Sequence, residues 1–135
     1  DFPDDSLLGH PGIMAFPHLG ATTPESEENC ARMAADQLKD YLINGNIKNS
    51  VNLPNVHQDW SGISRVCLIH KNIPAMLTKI TTILSDEGVN VENLTNKSKK
   101  DYAYTMVDLN GRIKDAVADE LRAIPGMIRV RVINH

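Results

Sequence analysis

Aromatic side chains are scarce in this chain. Phe, Trp and Tyr make up 4% of its 135 residues, and Trp60 is the single tryptophan. Aliphatic side chains must therefore fill any core, and the apolar fraction of 41% is enough for one packed domain, or a small domain with an appendage. Cysteine is nearly absent. Cys30 and Cys67 lie in different segments, which gives neither zinc-ligand spacing nor a disulfide framework, so reduced thiols in a cytoplasmic protein are expected. The histidines at 10, 18, 57, 70 and 135 show no ligand spacing, and no metal site is expected. No apolar run approaches the roughly 20 residues of a membrane span, and no secretory pattern opens the chain. An excess of positive charge is also missing. The net charge is −3, with 3 basic and 8 acidic residues in positions 1–50 (net −5) and 11 basic and 9 acidic in 51–135 (net +2). Nucleic-acid binding, which needs a concentrated basic surface, is excluded; Lys97, Lys99 and Lys100 read as a solvated turn. There is no glycine-rich phosphate loop and no string of βα units. No nucleophile–base pair is visible either, which argues against a complete small enzyme.

The most telling segment that is present is Phe16-Pro17-His18-Leu19-Gly20-Ala21-Thr22-Thr23-Pro24-Glu25. Gly12–Phe16 reads as a buried strand, followed by a tight corner that holds His18 and then by a helix. Thr23 is a good N-cap, Pro24 suits the first helical position, and Glu25, Glu27 and Glu28 favour the positive helix end. Such corners present reacting groups in α/β enzymes. Cys30, Met33, Ala34, Leu38, Tyr41 and Leu42 form one apolar stripe, and Gly45 is the stop. One strand and one helix cannot enclose a core, so the stripe is expected to pack against something else, and the chain reads as the tail of a larger enzyme. The organisation expected is a remnant of a catalytic part (1–47), a linker (48–61) in which Trp60 plugs an apolar patch, and a separate domain (62–135).

From Gly62 onward the pattern changes. Val66, Leu68 and His70 alternate with Arg65, Cys67 and Ile69 along a strand. Pro74 opens a helix with Met76, Leu77, Ile80, Ile83 and Leu84 on its buried face, ending at Gly88. Strands follow at Val89–Thr95 and Tyr102–Leu109. Ile113, Val117, Leu121 and Ile124 mark a second helix, stopped by Pro125-Gly126. Ile128, Val130 and Val132 define a last strand. The order βαββαβ is the ferredoxin-like plan of the α+β class: a four-stranded antiparallel sheet with both helices on one face, the other face meeting solvent or another sheet.

Two resemblances rest on these residues. His70-Lys71-Asn72-Ile73-Pro74-Ala75-Met76-Leu77, Asp86-Glu87-Gly88-Val89-Asn90-Val91 and Ile124-Pro125-Gly126-Met127-Ile128-Arg129-Val130 resemble the ACT domain, a small amino-acid-sensing module of metabolic enzymes. Residues 11–56, through Phe16–Glu25, Glu28-Asn29 and Asn49-Ser50-Val51-Asn52-Leu53-Pro54, resemble the end of the catalytic part of the D-3-phosphoglycerate dehydrogenase family, within the 2-hydroxyacid dehydrogenases. The second resemblance implies NAD-dependent oxidation of 3-phosphoglycerate at the entry to serine biosynthesis. His18 matches the catalytic base, and Gly20 and Ala21 match backbone beside the nicotinamide. An imidazole can accept the hydroxyl proton near neutral pH when a carboxylate orients it. The orienting glutamate, the substrate arginine and the dinucleotide fingerprint belong to upstream sequence, so this fragment alone is expected to be inactive and to hold no NAD.

The ACT resemblance implies an amino-acid effector such as serine, bound by the loop that follows the first strand, commonly across a homodimer or a higher homo-oligomer. His70, Asn72, Ala75, Met76 and Leu77 match that loop. Asn90 matches a contact reaching from the neighbouring subunit. Ala75 stands where many effector-binding members have glycine, and its methyl narrows the approach to the backbone. The alternative expectation is therefore an ACT unit that joins subunits through its sheet and binds no effector.

Overall fold

The computed structural model describes residues 4–134. The chain divides between Asp36 and Gln37 into two units. In the first, a turn of 3-10 helix at Asp5–Leu7 leads to an extended segment and to the start of helix α1 (Pro24–Asn44). Thr23 caps α1 as expected, its Oγ1 accepting from Ser26 N at 3.2 Å. The expected strand at Gly12–Phe16 does not form. A strand needs a ladder partner, and the described residues up to Asp36 supply none. Ile13, Met14 and Phe16 stay exposed, and this unit buries no described residue.

The second unit carries β1 (Ser64–Lys71), α2 (Met76–Asp86), β2 (Val91–Lys99), β3 (Tyr102–Leu109), α3 (Asp115–Ala123) and β4 (Met127–Asn134). The strands run antiparallel in the order β2-β3-β1-β4, which is the ferredoxin-like arrangement. Both helices lie on one face. Met76, Ile80 and Leu84 of α2, with Val117 and Leu121 of α3, form a single core with Val66, Leu68, Val107, Leu109 and Val130 of the sheet. This is the stripe and alternation that the sequence pattern dictates. The entry into α2 differs, because Ala75 adopts the left-handed conformation (φ 64°) and the helix begins at Met76 rather than at Pro74.

The opposite face of the sheet is covered by the chain itself. Ile47 and Val56 pair as an isolated antiparallel bridge, with N–H···O distances of 2.8 and 2.9 Å. They pack on Cys67, Tyr104 and Met106, with Tyr41, Leu53, Ile69 and Ile133 around them. Lys99 Nζ donates to the carbonyls of Ser50 and Val51, fastening that loop to β2. Gly45 turns the chain from α1 toward the bridge at φ 78°. A Cβ there would stand 2.5 Å from Cys67 Sγ, so a larger residue cannot enter without displacing that thiol.

The end of α1 is held by side chains from the sheet. A helix leaves its last four carbonyls without intrahelical donors, and cations near them complement the helix dipole. Here Arg131 of β4 donates to Tyr41 O (2.8 Å) and Leu42 O, and its guanidinium lies over the Tyr41 ring. Arg65 of β1 donates to Asn44 O at 2.7 Å, and Tyr104 of β3 donates to Gly45 O at 2.6 Å. Burial, chiefly, pushes the Tyr104 hydroxyl far above its ordinary pKa, so it remains a donor.

Arg65 and Asp108 are both fully buried. They form a bidentate pair, Nε–Oδ1 at 2.5 Å and Nη2–Oδ2 at 2.8 Å. Arg65 Nη2 also donates to Asp59 O at 3.0 Å, and the Ser61 N–H and hydroxyl donate to Asp108 Oδ2 at 3.0 and 3.1 Å. Trp60 was expected to plug an apolar patch; instead it lies over this guanidinium, 4.5 Å from its carbon to the ring centroid. The site is a buried charge pair with its donors and acceptors met from four segments.

Burial opposes ionisation of Asp108, but hydrogen bonds from Arg65 and Ser61, with the guanidinium charge, outweigh it and hold the carboxyl below its ordinary value of 3.8. A depressed folded-state pKa gives stability that is present above the ordinary value and is lost as pH falls through the lower one. Denaturant unfolding of the wild-type chain should therefore lose stability below about pH 4, and Asp108→Asn should remove that component of the acid loss. At pH 7, Arg65→Met leaves a buried carboxylate without its partner and should cost about 3–5 kcal/mol. Arg65→Met with Asp108→Leu should cost less than the sum of the single changes. Additive losses in the same denaturant series would contradict a coupled buried pair.

Candidate functional site

The loop joining β1 to α2 is built by hydrogen bonds at one end of the sheet. Lys71 N donates to Gly126 O, and Asn72 N donates to Asp101 O, both at 2.8 Å. Asn72 Nδ2 donates to Lys100 O at 3.2 Å, so the side chain lies against the β2–β3 turn and remains exposed. Ile73 N closes a short turn onto Lys71 O at 3.0 Å. Ala75 then takes its left-handed conformation, and no side chain caps α2. A non-glycine residue in that region costs about 1 kcal/mol or more. The first-turn amides of α2 suit an anionic group approaching along the helix axis.

The other residues expected at this loop occupy different settings. Met76 is buried in the helix-side core, whereas Leu77 is 37% exposed at the start of α2. His70 is buried beneath the loop. Its Nδ1 lies 2.8 Å from Lys71 O and its Nε2 lies 2.8 Å from Thr105 Oγ1, so both ring nitrogens are engaged within the domain. Thr105 Oγ1 is in turn 2.8 Å from Asn96 Oδ1 on β2. That three-residue chain gave no pattern in the sequence. Thr105 and Asn96 stand on separate strands, and only the β2–β3 register places them side by side.

Asn90 stands far from the loop within one chain. It precedes β2, and its N–H donates to Asn110 Oδ1 at 2.9 Å where Val91 pairs with Leu109. Leu109 pairs with Ser64 at the start of β1, while Asn72 follows Lys71 at its end. Seven residue steps along β1 separate the two rows, about 23 Å at 3.3 Å per residue. One copy of the chain does not bring Asn72 and Asn90 to a common ligand.

In the first unit, His18, Gly20 and Ala21 lie in the exposed turn that leads into α1. Thr22 closes that turn, its N–H and its hydroxyl donating to Leu19 O at 3.3 and 3.0 Å. No helix among the described residues is long and apolar enough to cross a membrane.

No family model matches the chain. Among curated proteins it is similar to D-3-phosphoglycerate dehydrogenase of Escherichia coli K12, 30% identical over 123 residues, which is 90% of this chain and 30% of that protein. It is similar also to D-3-phosphoglycerate dehydrogenase 2 of Saccharomyces cerevisiae, 31% identical over 136 residues, 94% of this chain and 28% of that one. The chain thus spans about three-tenths of the length of these curated relatives. Among solved structures, the ACT domain from GTP pyrophosphokinase of Chlorobium tepidum superposes with a TM-score of 0.47 at 16% identity, covering 53% of this chain and 97% of that one. The C-terminal domain of the MgtC protein from Mycobacterium tuberculosis gives 0.45 at 14% identity, covering 58% and 94%. Over nine-tenths of its length the chain is similar to the C-terminal region of D-3-phosphoglycerate dehydrogenases, and its strand order is that of the ferredoxin-like fold.

Proposed function

We propose that this chain is the regulatory part of a cytoplasmic phosphoglycerate dehydrogenase, which oxidises 3-phosphoglycerate with NAD, and that its ACT domain binds an amino-acid effector such as L-serine between two copies of the chain. In this reading residues 1–47 belong to the catalytic part, 48–61 connect, and 62–135 sense the effector. His18 is the base, and Gly20 and Ala21 flank the nicotinamide in the intact enzyme.

The observation that carries the sensing role is the separation of Asn72 from Asn90 along β1. Both edges of the sheet, β2 and β4, have unpaired backbone groups that can accept a second copy. Two-fold pairing of β2 with β2 is antiparallel and sets the start of one strand beside the end of the other. Asn90, just before β2, then lies beside the partner's β2–β3 turn, against which the partner's Asn72 rests. Pairing through β4 puts three strands, β3, β1 and β4, between β2 and the interface, and leaves the two asparagines apart. In the β2 arrangement the Asn72 and Asn90 amides address the effector's charged ends, Ala75 and the α2 amides face its carboxylate, Leu77 flanks it, and His70 with Met76 support the loop from beneath.

Ala75 favours a second reading, in which the ACT domain assembles subunits and binds no effector. Ala75 holds a left-handed backbone where many effector-binding members have glycine, and its methyl narrows the approach to that backbone.

Calorimetric titration of the 135-residue chain with L-serine distinguishes the two readings. The sensing role requires saturable heat at millimolar ligand or below, loss of that heat in Asn72→Ala and in Asn90→Ala, and a melting point raised by several degrees at a hundredfold excess over Kd. A folded dimer that gives no heat with L-serine or with a panel of other amino acids would leave assembly alone. Ala75→Gly relieves the left-handed strain and should stabilise the fold by about 1 kcal/mol in urea denaturation, with or without ligand.

A further inference from the structure

The hydrogen bonds around His70 constrain its protons. A backbone carbonyl accepts and never donates, so the Nδ1 facing Lys71 O at 2.8 Å carries a hydrogen. Thr105 has one hydroxyl hydrogen to share between His70 Nε2 and the Asn96 amide, each 2.8 Å away. Two proton arrangements satisfy all three contacts and also engage the buried hydroxyl hydrogen among them. With the ring doubly protonated, Nε2 donates to Thr105 Oγ1, and the hydroxyl donates to Asn96 Oδ1. With the ring neutral, Nε2 is bare and accepts the hydroxyl hydrogen. The Asn96 amide must then be turned by 180°, so that its NH2 donates to Thr105 Oγ1. Any other neutral arrangement sets two acceptors face to face at 2.8 Å in a buried site, at a cost comparable to a lost hydrogen bond or more.

Asn96 lies on β2, an edge strand, and is itself exposed. The half of its amide that does not touch Thr105 is the half offered to whatever meets that edge. We infer that His70 is a positioning residue whose proton sets the polarity of the β2 edge at Asn96: an outward NH2 donor when the ring is charged, an outward carbonyl acceptor when it is neutral. The same ring holds Lys71 O at the start of the β1–α2 loop in both states, so the loop and the edge are linked through one imidazole.

Among the described residues, the buried side chains around His70 on this face of the sheet are uncharged. The cross-strand partners are Ala103 and Met127, and Leu68 and Val130 belong to the apolar core of the same face. The elements above present Met76, Ile80 and Leu84 from α2, and Val117, Ala118 and Leu121 from α3. None of these is charged. Lys71, Lys100 and Asp101 are exposed at the adjoining end of the sheet, and Lys97 and Lys99 of β2 alternate to its other face. This inference rests on hydrogen-bond geometry and stands whether or not an amino acid binds the loop.

Nitrogen-15 NMR of the whole chain across pH 5–8 tests it. The neutral ring should show a hydrogen on Nδ1 and a bare Nε2. The side-chain amide resonances of Asn96 should change together with the nitrogen resonances of the ring. Thr105→Val keeps the shape but removes the relay, so the Asn96 amide should no longer follow the proton state of the ring. A neutral ring with its hydrogen on Nε2, or an Asn96 amide indifferent to the state of His70 in the wild-type chain, would overturn the inference without recourse to any variant.

Discussion

The fully buried pair of Arg65 and Asp108 is the constraint around which the rest of this domain is arranged. Removing two charges from water costs several kcal/mol per ion, so such a pair persists only where its remaining donors and acceptors are met. Arg65 meets that condition with four hydrogen bonds: two to Asp108, one to the last turn of α1 at Asn44 O, and one to Asp59 O. Each partner comes from a different stretch of sequence. The polypeptide that covers the open face of the sheet is thereby fixed by the sheet's own charge, and the Trp60 ring closes the site over the guanidinium.

Arg131 extends this arrangement to the Tyr41 and Leu42 carbonyls of α1, and Tyr104 to the Gly45 carbonyl just past it. Gly45 is small enough for the chain to turn against Cys67, and Ile47 and Val56 then seal the apolar layer beneath. The consequence is a sheet with a core on each face, although only two helices belong to the ferredoxin-like unit. A force applied to β1, β3 or β4 reaches the last turn of α1 through hydrogen bonds rather than through a slack tether. For a domain proposed to sense an effector at one end of β1, that is a direct physical route into the segment that precedes it.

The helix-side half of this fold was legible because it is periodic. Met76, Ile80 and Leu84 recur at helical spacing, Val66 and Leu68 alternate along β1, and both patterns report burial directly. The other half was not, because its contacts are single and distant. Arg65 and Asp108 are 43 residues apart, and nothing in the alternation around Arg65 distinguishes a buried guanidinium from a solvated one. Ile47 and Val56 form one bridge, too short to carry a period of two. Gly12–Phe16 has the composition of a strand, yet pairing is a property of two segments, and the described residues of its unit contain one. At the candidate loop, the residue types were legible and their geometry was not. Asn90 reads as a contact from a neighbouring copy, and the distance within one chain, set by the registers of β1 and β2 with β3, was not legible: Asn72 and Asn90 lie at opposite ends of the sheet. His70 read as a contact residue, and both of its nitrogens are engaged inside the domain.

The sheet holds the end of α1 and the bridge that follows as part of one cooperative unit. Amide hydrogen exchange measures this residue by residue. The N–H groups of Gly45, Ile47 and Val56, which donate to Tyr41, Val56 and Ile47 carbonyls, should exchange as slowly as those of β1 and β3, and they should lose that protection when Arg65 is replaced. Fast exchange at these three amides in the wild-type chain, with β1 and β3 still protected, would mean that the sheet stands without its second layer and would contradict the account.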